Sequence, residues 1–120
     1  MGTLKTAVLL DKVQRETLRY FTDFAHPGSG MARERSGTPG MMDTMTTGGT
    51  GFGIMAMIAG AERGFIARGE AVERIARIVG FLESVPRYRG AFAHWIDGDS
   101  GGTVAFSERD DGGDIVETAF

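Results

Sequence analysis

The 120-residue sequence contains no cysteine, only three prolines and a single tryptophan. Without thiols there is no disulfide framework and no thiolate metal site, so packing and hydrogen bonds must hold the fold. Basic charge is not concentrated anywhere, with 13 Lys and Arg against 16 Asp and Glu and a formal net charge of −3. That balance offers no electrostatic footprint for nucleic acid or an anionic membrane surface, and neither is expected as a partner. Long apolar runs are missing as well. The run Ala7 to Leu10 ends at Asp11 and Lys12, too short for the core of a signal peptide, and "GFGIMAMIAGA" before Glu62 is too short for a membrane span. The abundant residue is glycine, 19 of 120, gathered between 28 and 53 and between 90 and 113. Such clustering marks long loops between ordered segments of one domain.

Three segments carry helical periodicity. From Val8 to Phe24, Leu9, Leu10, Val13, Thr17, Leu18, Tyr20, Phe21 and Phe24 recur at three- and four-residue spacing opposite Lys12, Gln14, Arg15 and Arg19. His26-Pro27-Gly28 stops this amphipathic helix. From Thr50 to Gly64, Phe52, Ile54, Met55, Met57 and Ile58 leave no polar face, the signature of a buried helix. From Arg68 to Val85, Ala71, Val72, Ile75, Ile78, Val79 and Leu82 oppose Glu70, Glu73, Arg74 and Arg77 until Pro86. A fourth helix is expected to begin at Asp114, a good N-cap, and to continue through Ile115, Val116, Ala119 and Phe120. Its apolar stripe runs to the last residue, as expected of a piece of a longer domain.

Long loops of about 25 and about 28 residues alternate with a short turn near Phe65 to Gly69. If the helices run antiparallel, both long loops leave one end of the bundle. Exposed and buried helices in alternation, with the long loops at one end, follow the logic of an all-α toroid. The first and third helices would form its outer layer, the second and fourth its inner wall.

The acids at the close, Asp110, Asp111, Asp114 and Glu117, fall within eight residues. Asp114 and Glu117 are three apart at a helix start, which brings their Cβ atoms within about 5–6 Å on one side. Carboxylates that close can divide acid and base roles, because like charges push their pKa values apart. Asp114 as N-cap and Glu117 completing a capping box is the alternative, and one residue can do both. In the preceding loop, His94 and the lone Trp95 stand near Phe92, Asp97 and Asp99, a combination suited to stacking on a sugar and bonding its hydroxyls. A loop anchored by a buried tryptophan accounts for the same residues. "DGDSGG" fits a calcium loop only in part, although Glu108 stands twelfth from Asp97, and no flanking helix pair is expected. Arg33, Glu34 and Arg35 can bind hydroxyls or fix neighbouring acids, or simply be solvated. Glycines 48, 49, 51 and 53 are read as close approach of the second helix to its neighbours rather than as a phosphate loop, because no strand or Gly-Lys-Ser/Thr accompanies them.

Four stretches taken in order, "LLDKVQRETLRYFTDFAHPGSGMARERS", "TTGGTGFGIMAMIAGAERGFI", "RGAFAHWIDGDSGG" and "DDGGDIVETAF", resemble the bacterial glucoamylase-like domain family, which includes endo-β-1,2-glucanases and a domain of cyclic β-1,2-glucan synthases. The resemblance implies that residues 1–120 are the N-terminal portion of one (α/α)6 catalytic domain, about three full helices plus the start of a fourth. It implies a glycoside hydrolase acting on a glucan, β-1,2-glucan foremost, without a cofactor or metal. Asp110, Asp114 and Glu117 would then be catalytic, while Arg33, Glu34, Arg35, His94, Trp95 and Asp111 would bind substrate. Ala93 departs from the proline expected before His-Trp. A noncatalytic carbohydrate-binding or scaffold module of the same fold is the alternative. A freestanding enzyme would be periplasmic or secreted, and a synthase domain could face the cytoplasm.

Overall fold

The computed structural model describes residues 2–120 as α1 (Gly2–Thr22), β1 (Thr44–Thr46), α2 (Thr47–Glu62), α3 (Arg68–Ser84), β2 (Trp95–Asp97), β3 (Thr103–Val104) and α4 (Ile115–Thr118). Helix α1 begins six residues earlier than its apolar spacing indicates, since its first turns bury nothing and therefore leave no periodic signal. It closes where the N–H groups of Asp23 and Phe24 both donate to Arg19 O, at 2.8 and 3.1 Å. Arg74 Nη1 of α3 donates to Thr22 O at 2.9 Å, supplying a carbonyl at the end of α1 that has no partner within the helix.

The all-α expectation requires one correction. The two long loops are not structureless, because they build a three-stranded antiparallel sheet in the order β1-β2-β3. Thr44 pairs with Asp97, Met45 with Ile96 and Thr46 with Trp95, while Trp95 and Ile96 continue to Val104 and Thr103. Strands of two or three residues are too short for alternation to register against glycine-rich surroundings. Their pairing does bring both long loops together, as the antiparallel arrangement requires.

The core lies where this sheet meets the helices. Met31 from the first loop, Met45 from β1, Met57 from α2, Ile78 from α3 and Ile96 from β2 are each at most 2% exposed. Unbranched methionine suits such a junction, because its flexible thioether fills the irregular gaps between loop, strand and helix. Close approach explains several α2 glycines. A Cβ at Gly53 would lie 2.7 Å from Phe21 Cδ1, and one at Gly60 would lie 2.6 Å from Leu18 Cδ2. Those two positions let α1 lie directly on the α2 backbone.

Helix α2 was expected to be buried all round, yet only one side is. Thr47, Gly48, Thr50, Gly53, Met57 and Gly60 are covered, whereas Phe52, Met55 and Ile58 are 50 to 58% exposed. Leu4, Val8, Leu9, Leu10 and Val13 of α1 and Ile115, Val116 and Phe120 at the close are exposed in the same way. The described residues therefore leave several apolar faces uncovered.

Met45→Ala is expected to lower unfolding free energy by about 2–5 kcal/mol, through lost burial plus a cavity at the sheet-helix junction. Glu73→Ala, on the solvent side of α3, should change it by less than about 0.5 kcal/mol. Denaturant titration of both variants checks the contrast, and equal effects would place the core elsewhere.

Candidate active site

Asp114 is the N-cap of α4, with extended backbone and Oδ1 accepting from the N–H groups of Val116 and Glu117 at 2.9 and 3.0 Å. Capping uses one carboxylate oxygen and leaves the other. Asp114 Oδ2 lies 3.1 Å from His94 Nδ1, and Asp110 Oδ2 lies 2.8 Å from the same nitrogen. The N-cap reading of Asp114 is therefore observed on one oxygen, while the other faces His94. Helix α4 is itself stitched to the segment before β2, because Asp114 N donates to Phe92 O at 2.8 Å and Phe92 N donates to Thr118 Oγ1 at 2.9 Å.

Glu117 does not complete a capping box on its own helix. Its Oε2 accepts from Gly48 N at 2.7 Å, at the N-terminus of α2, and its Oε1 lies 3.9 Å from His94 Nε2. The same turn of α2 holds His94 from behind. Thr47 N donates to His94 O at 3.1 Å, and Thr47 Oγ1 donates to Ala93 O at 2.5 Å. His94 therefore has Asp110 and Asp114 on one ring nitrogen and Glu117 near the other, while Phe106 stacks on its face with centroids 4.0 Å apart and planes 7° from parallel. The four polar side chains keep 16 to 24% of their surface open, so solvent reaches all of them.

Charge distribution follows from this geometry. Burial acts to lower the His94 pKa, but the hydrogen bond to Asp110 and the charges of Glu117, Asp110 and Asp114 together outweigh it and hold the imidazolium above its ordinary range. Asp114 is held below the usual carboxylate range by the Glu117 backbone N–H, opposed by its burial and helped by a hydrogen bond with Asp110, by the Val116 N–H and by His94. A protonated imidazole held among carboxylates suits general acid–base proton transfer. A shallow cleft of about 330 Å³, lined by Tyr88, Arg109, Asp110, Asp111, Gly112 and Gly113, opens beside the cluster. The roomier groove of about 520 Å³ between α1 and α2, lined by Val13, Leu18, Ala56, Gly60 and Phe65 among others, contains no carboxylate.

Of the residues singled out in the sequence, Asp110, Asp114, Glu117 and His94 come together, and Asp111 is exposed at the cleft. Trp95 stands at the edge of this group in β2, edge-on to His94 and Phe106, with its Nε1 buried and unpaired among the described residues. It packs here and does not bond outward. The Arg33 guanidinium donates to Phe24 O and Met42 O and is only 14% exposed. Those bonds fasten the first loop to the end of α1. Glu34 and Arg35 pair with each other at 3.0 Å. Asp97 Oδ1 accepts from Asp99 N, Ser100 N and Ser100 Oγ, which makes "DGDS" a side-chain-capped turn. Phe106, Thr47 and Gly48 were missed, because nothing local in the sequence says that they meet His94 or Glu117.

Among the described residues, two groups have the spacing of cation ligands, His94 with Asp110 and Asp114, and His26 with Asp43 and Asp99. His26 is 2% exposed, and its Nδ1 accepts from the N–H groups of Gly28 and Ser29 at 3.2 and 3.1 Å. The ring proton therefore sits on Nε2, facing Asp99 at 3.2 Å and Asp43 at 3.5 Å, and a protonated nitrogen cannot ligate. His26 is a hydrogen-bonded latch between the two long loops. In the His94 group the contacts of 2.8 and 3.1 Å are hydrogen-bond lengths, with Nδ1 donating to both carboxylates.

The family model described as protein of unknown function DUF3131 matches residues 12–113. The chain is 52% identical over 113 residues to an exo β-1,2-glucooligosaccharide sophorohydrolase (non-reducing end) of Parabacteroides distasonis, covering 93% of this chain and 15% of that protein. Among solved structures, an endo-β-1,2-glucanase of Chitinophaga pinensis, in complex with sophorotriose and glucose, superposes with a TM-score of 0.90 at 44% identity, over 94% of this chain and 28% of that one. A β-1,2-glucanase of Parabacteroides distasonis superposes with a TM-score of 0.86 at 52% identity, over 92% of this chain and 16% of that one. The chain thus spans well under a third of the length of each of these relatives.

The pKa shifts make opposite demands on pH. His94, raised above 6.5, contributes stability that is full below about pH 6.5 and is lost as pH rises through its raised value. Asp114, lowered below 3.8, contributes stability that is full above about pH 3.8 and is lost as pH falls through its depressed value. Urea midpoints measured across pH should show the alkaline loss reduced in His94→Gln and the acid loss reduced in Asp114→Asn. Profiles parallel to the wild type would refute the two assignments.

Proposed function

The chain belongs to the DUF3131 family, and from that premise we propose that it is the N-terminal part of an (α/α)6 glycoside hydrolase domain that cleaves β-1,2-linked glucan. The observation that carries this reading is the bridging of Asp110 and Asp114 by His94, with Glu117 on the other side of the ring, in a solvent-open cluster beside a cleft. The relatives' names supply the linkage, and the geometry supports carboxylate chemistry on a sugar. In this reading α1 and α3 are outer helices and α2 and α4 inner ones. The exposed apolar faces of α2 and α4 are then surfaces for neighbouring helices of the ring.

Glycosidic cleavage requires one carboxylic acid to protonate the leaving oxygen, while a carboxylate on the opposite side of the sugar ring activates water or attacks the anomeric carbon. Asp110 and Asp114 bond to one nitrogen and act as a unit, too close together to straddle a sugar. Asp110 lines the cleft, while Asp114 caps α4 and Glu117 is tied to the first turn of α2. The opposing group comes from the rest of the ring. Asp111 and Tyr88 border the cleft, and in this reading they would contact sugar hydroxyls and ring faces.

The test is release of oligosaccharides from β-1,2-, β-1,3- and α-1,4-glucans by the protein at the length of its relatives. Products are expected from β-1,2-glucan alone, reduced at least about 100-fold by Glu117→Gln or Asp114→Asn in folded protein. Full activity in both variants would return these acids to helix capping, and no release from any glucan would leave a carbohydrate-binding module of the same fold.

A further inference from the structure

We propose that Gly48 is a positioning residue for Glu117, its missing side chain and its backbone N–H together setting where that carboxylate stands; the inference rests on the glucanase reading above. Gly48 is buried in the first turn of α2. It is not among the glycines with positive φ, so backbone conformation does not require glycine there. Glycine is also a poor helix former, so propensity does not favour it either. Space is what requires it. A Cβ built on Gly48 would stand 2.4 Å from Glu117 Oε2, 2.9 Å from Cδ and 3.1 Å from Oε1, closer than packed atoms tolerate. The adjacent Gly49 differs, because the nearest atoms to a Cβ there belong to the side chain of the N-cap Thr46.

Removing the side chain lets the carboxylate reach the helix end, where Gly48 N donates to Oε2 at 2.7 Å and the α2 dipole favours negative charge. One oxygen is thereby anchored, and Oε1 is left toward His94 Nε2 at 3.9 Å. Thr47, one residue earlier, fixes the backbone of His94 through His94 O and Ala93 O. Two consecutive residues of α2 thus set both partners of the Glu117–His94 pair. Gly48 touches no reacting atom in this arrangement; it acts through Glu117.

In protein of the length of its relatives, Gly48→Ala should lower kcat on β-1,2-glucan about tenfold or more, with KM changed less than about twofold, because orientation is lost and not binding. Glu117→Asp shortens the acid by one methylene and should also lose activity. The Gly48→Ala/Glu117→Asp double variant should lose less than the two single losses multiplied together, because the shorter acid leaves room for the new methyl. A second measurement needs no turnover. In ¹⁵N-glycine-labelled protein the Gly48 amide resonance should follow the ionisation of Glu117 with pH, and that titration should vanish in Glu117→Gln. A Gly48 amide indifferent to Glu117 would overturn the proposal, as would Gly48→Ala with unaltered kcat and pH profile. Absence of glucan turnover by the wild type would remove the glucanase reading alone, and the amide titration would then decide whether Gly48 holds the carboxylate. The titration also decides if Gly48→Ala fails to fold.

Discussion

The N-terminus of α2 is the constraint on which the rest depends. A helix start leaves backbone N–H groups without intrahelical acceptors, and a buried start must find acceptors elsewhere. Here each acceptor comes from a different place. Thr47 N takes His94 O, Gly48 N takes the Glu117 carboxylate, and Gly49 N takes Thr46 Oγ1 at 3.4 Å. Satisfying one helix end therefore draws the second long loop, α4 and β1 to a single point. The cluster of His94 and the acids forms there because those are the segments being drawn in.

The sheet serves the same junction. Pairing of β1 with β2 sets His94 one residue ahead of Trp95, whose partner Thr46 caps α2. On its other side the first loop is held by Thr46 N to Ala32 O at 3.0 Å and by Ala32 N to Thr50 Oγ1 at 3.0 Å, so that Met31 and Met45 fall into the core. The latch of His26 on Asp43 and Asp99 ties the two loops together a few residues further along. Arg33, with its fork on the carbonyls of Phe24 and Met42, fastens the first loop back to α1. Polar groups that look functional in the sequence thus divide into those that hold loops and those that remain open to solvent.

Uncovered apolar surface runs along α2 and α4, and also along the first half of α1. That distribution separates two kinds of burial in this chain. The loop-facing side of α2 is completed by the chain's own loops and α1, whereas Phe52, Met55 and Ile58 stay at least half exposed, with the Phe120 ring centroid 5.0 Å from that of Phe52. The polar site is consequently well defined within the described residues, even where the helices around it are not enclosed.

Helix positions were legible because an amphipathic repeat of many residues is a local property, as in α3, observed at Arg68–Ser84 against an expected end at Val85. The N-cap role of Asp114 was legible for the same reason, since its hydrogen bonds reach only two and three residues along the chain. Close approach at the α2 glycines was foreseen, but its partners were not. Strands of two or three residues left no readable alternation, and the bonds of Arg33 were not legible because its carbonyl acceptors lie nine residues away on either side. By itself the sequence determined the helices, their stops, the cap and the density of acids near the close, all set by interactions within a few residues. Only the tertiary structure decided that Glu117 turns to Gly48, 69 residues away, and that His94 stands between Asp110 and Asp114. Orphan donors at a buried helix end can donate to any oxygen that arrives, and which oxygen arrives depends on the path of the whole chain.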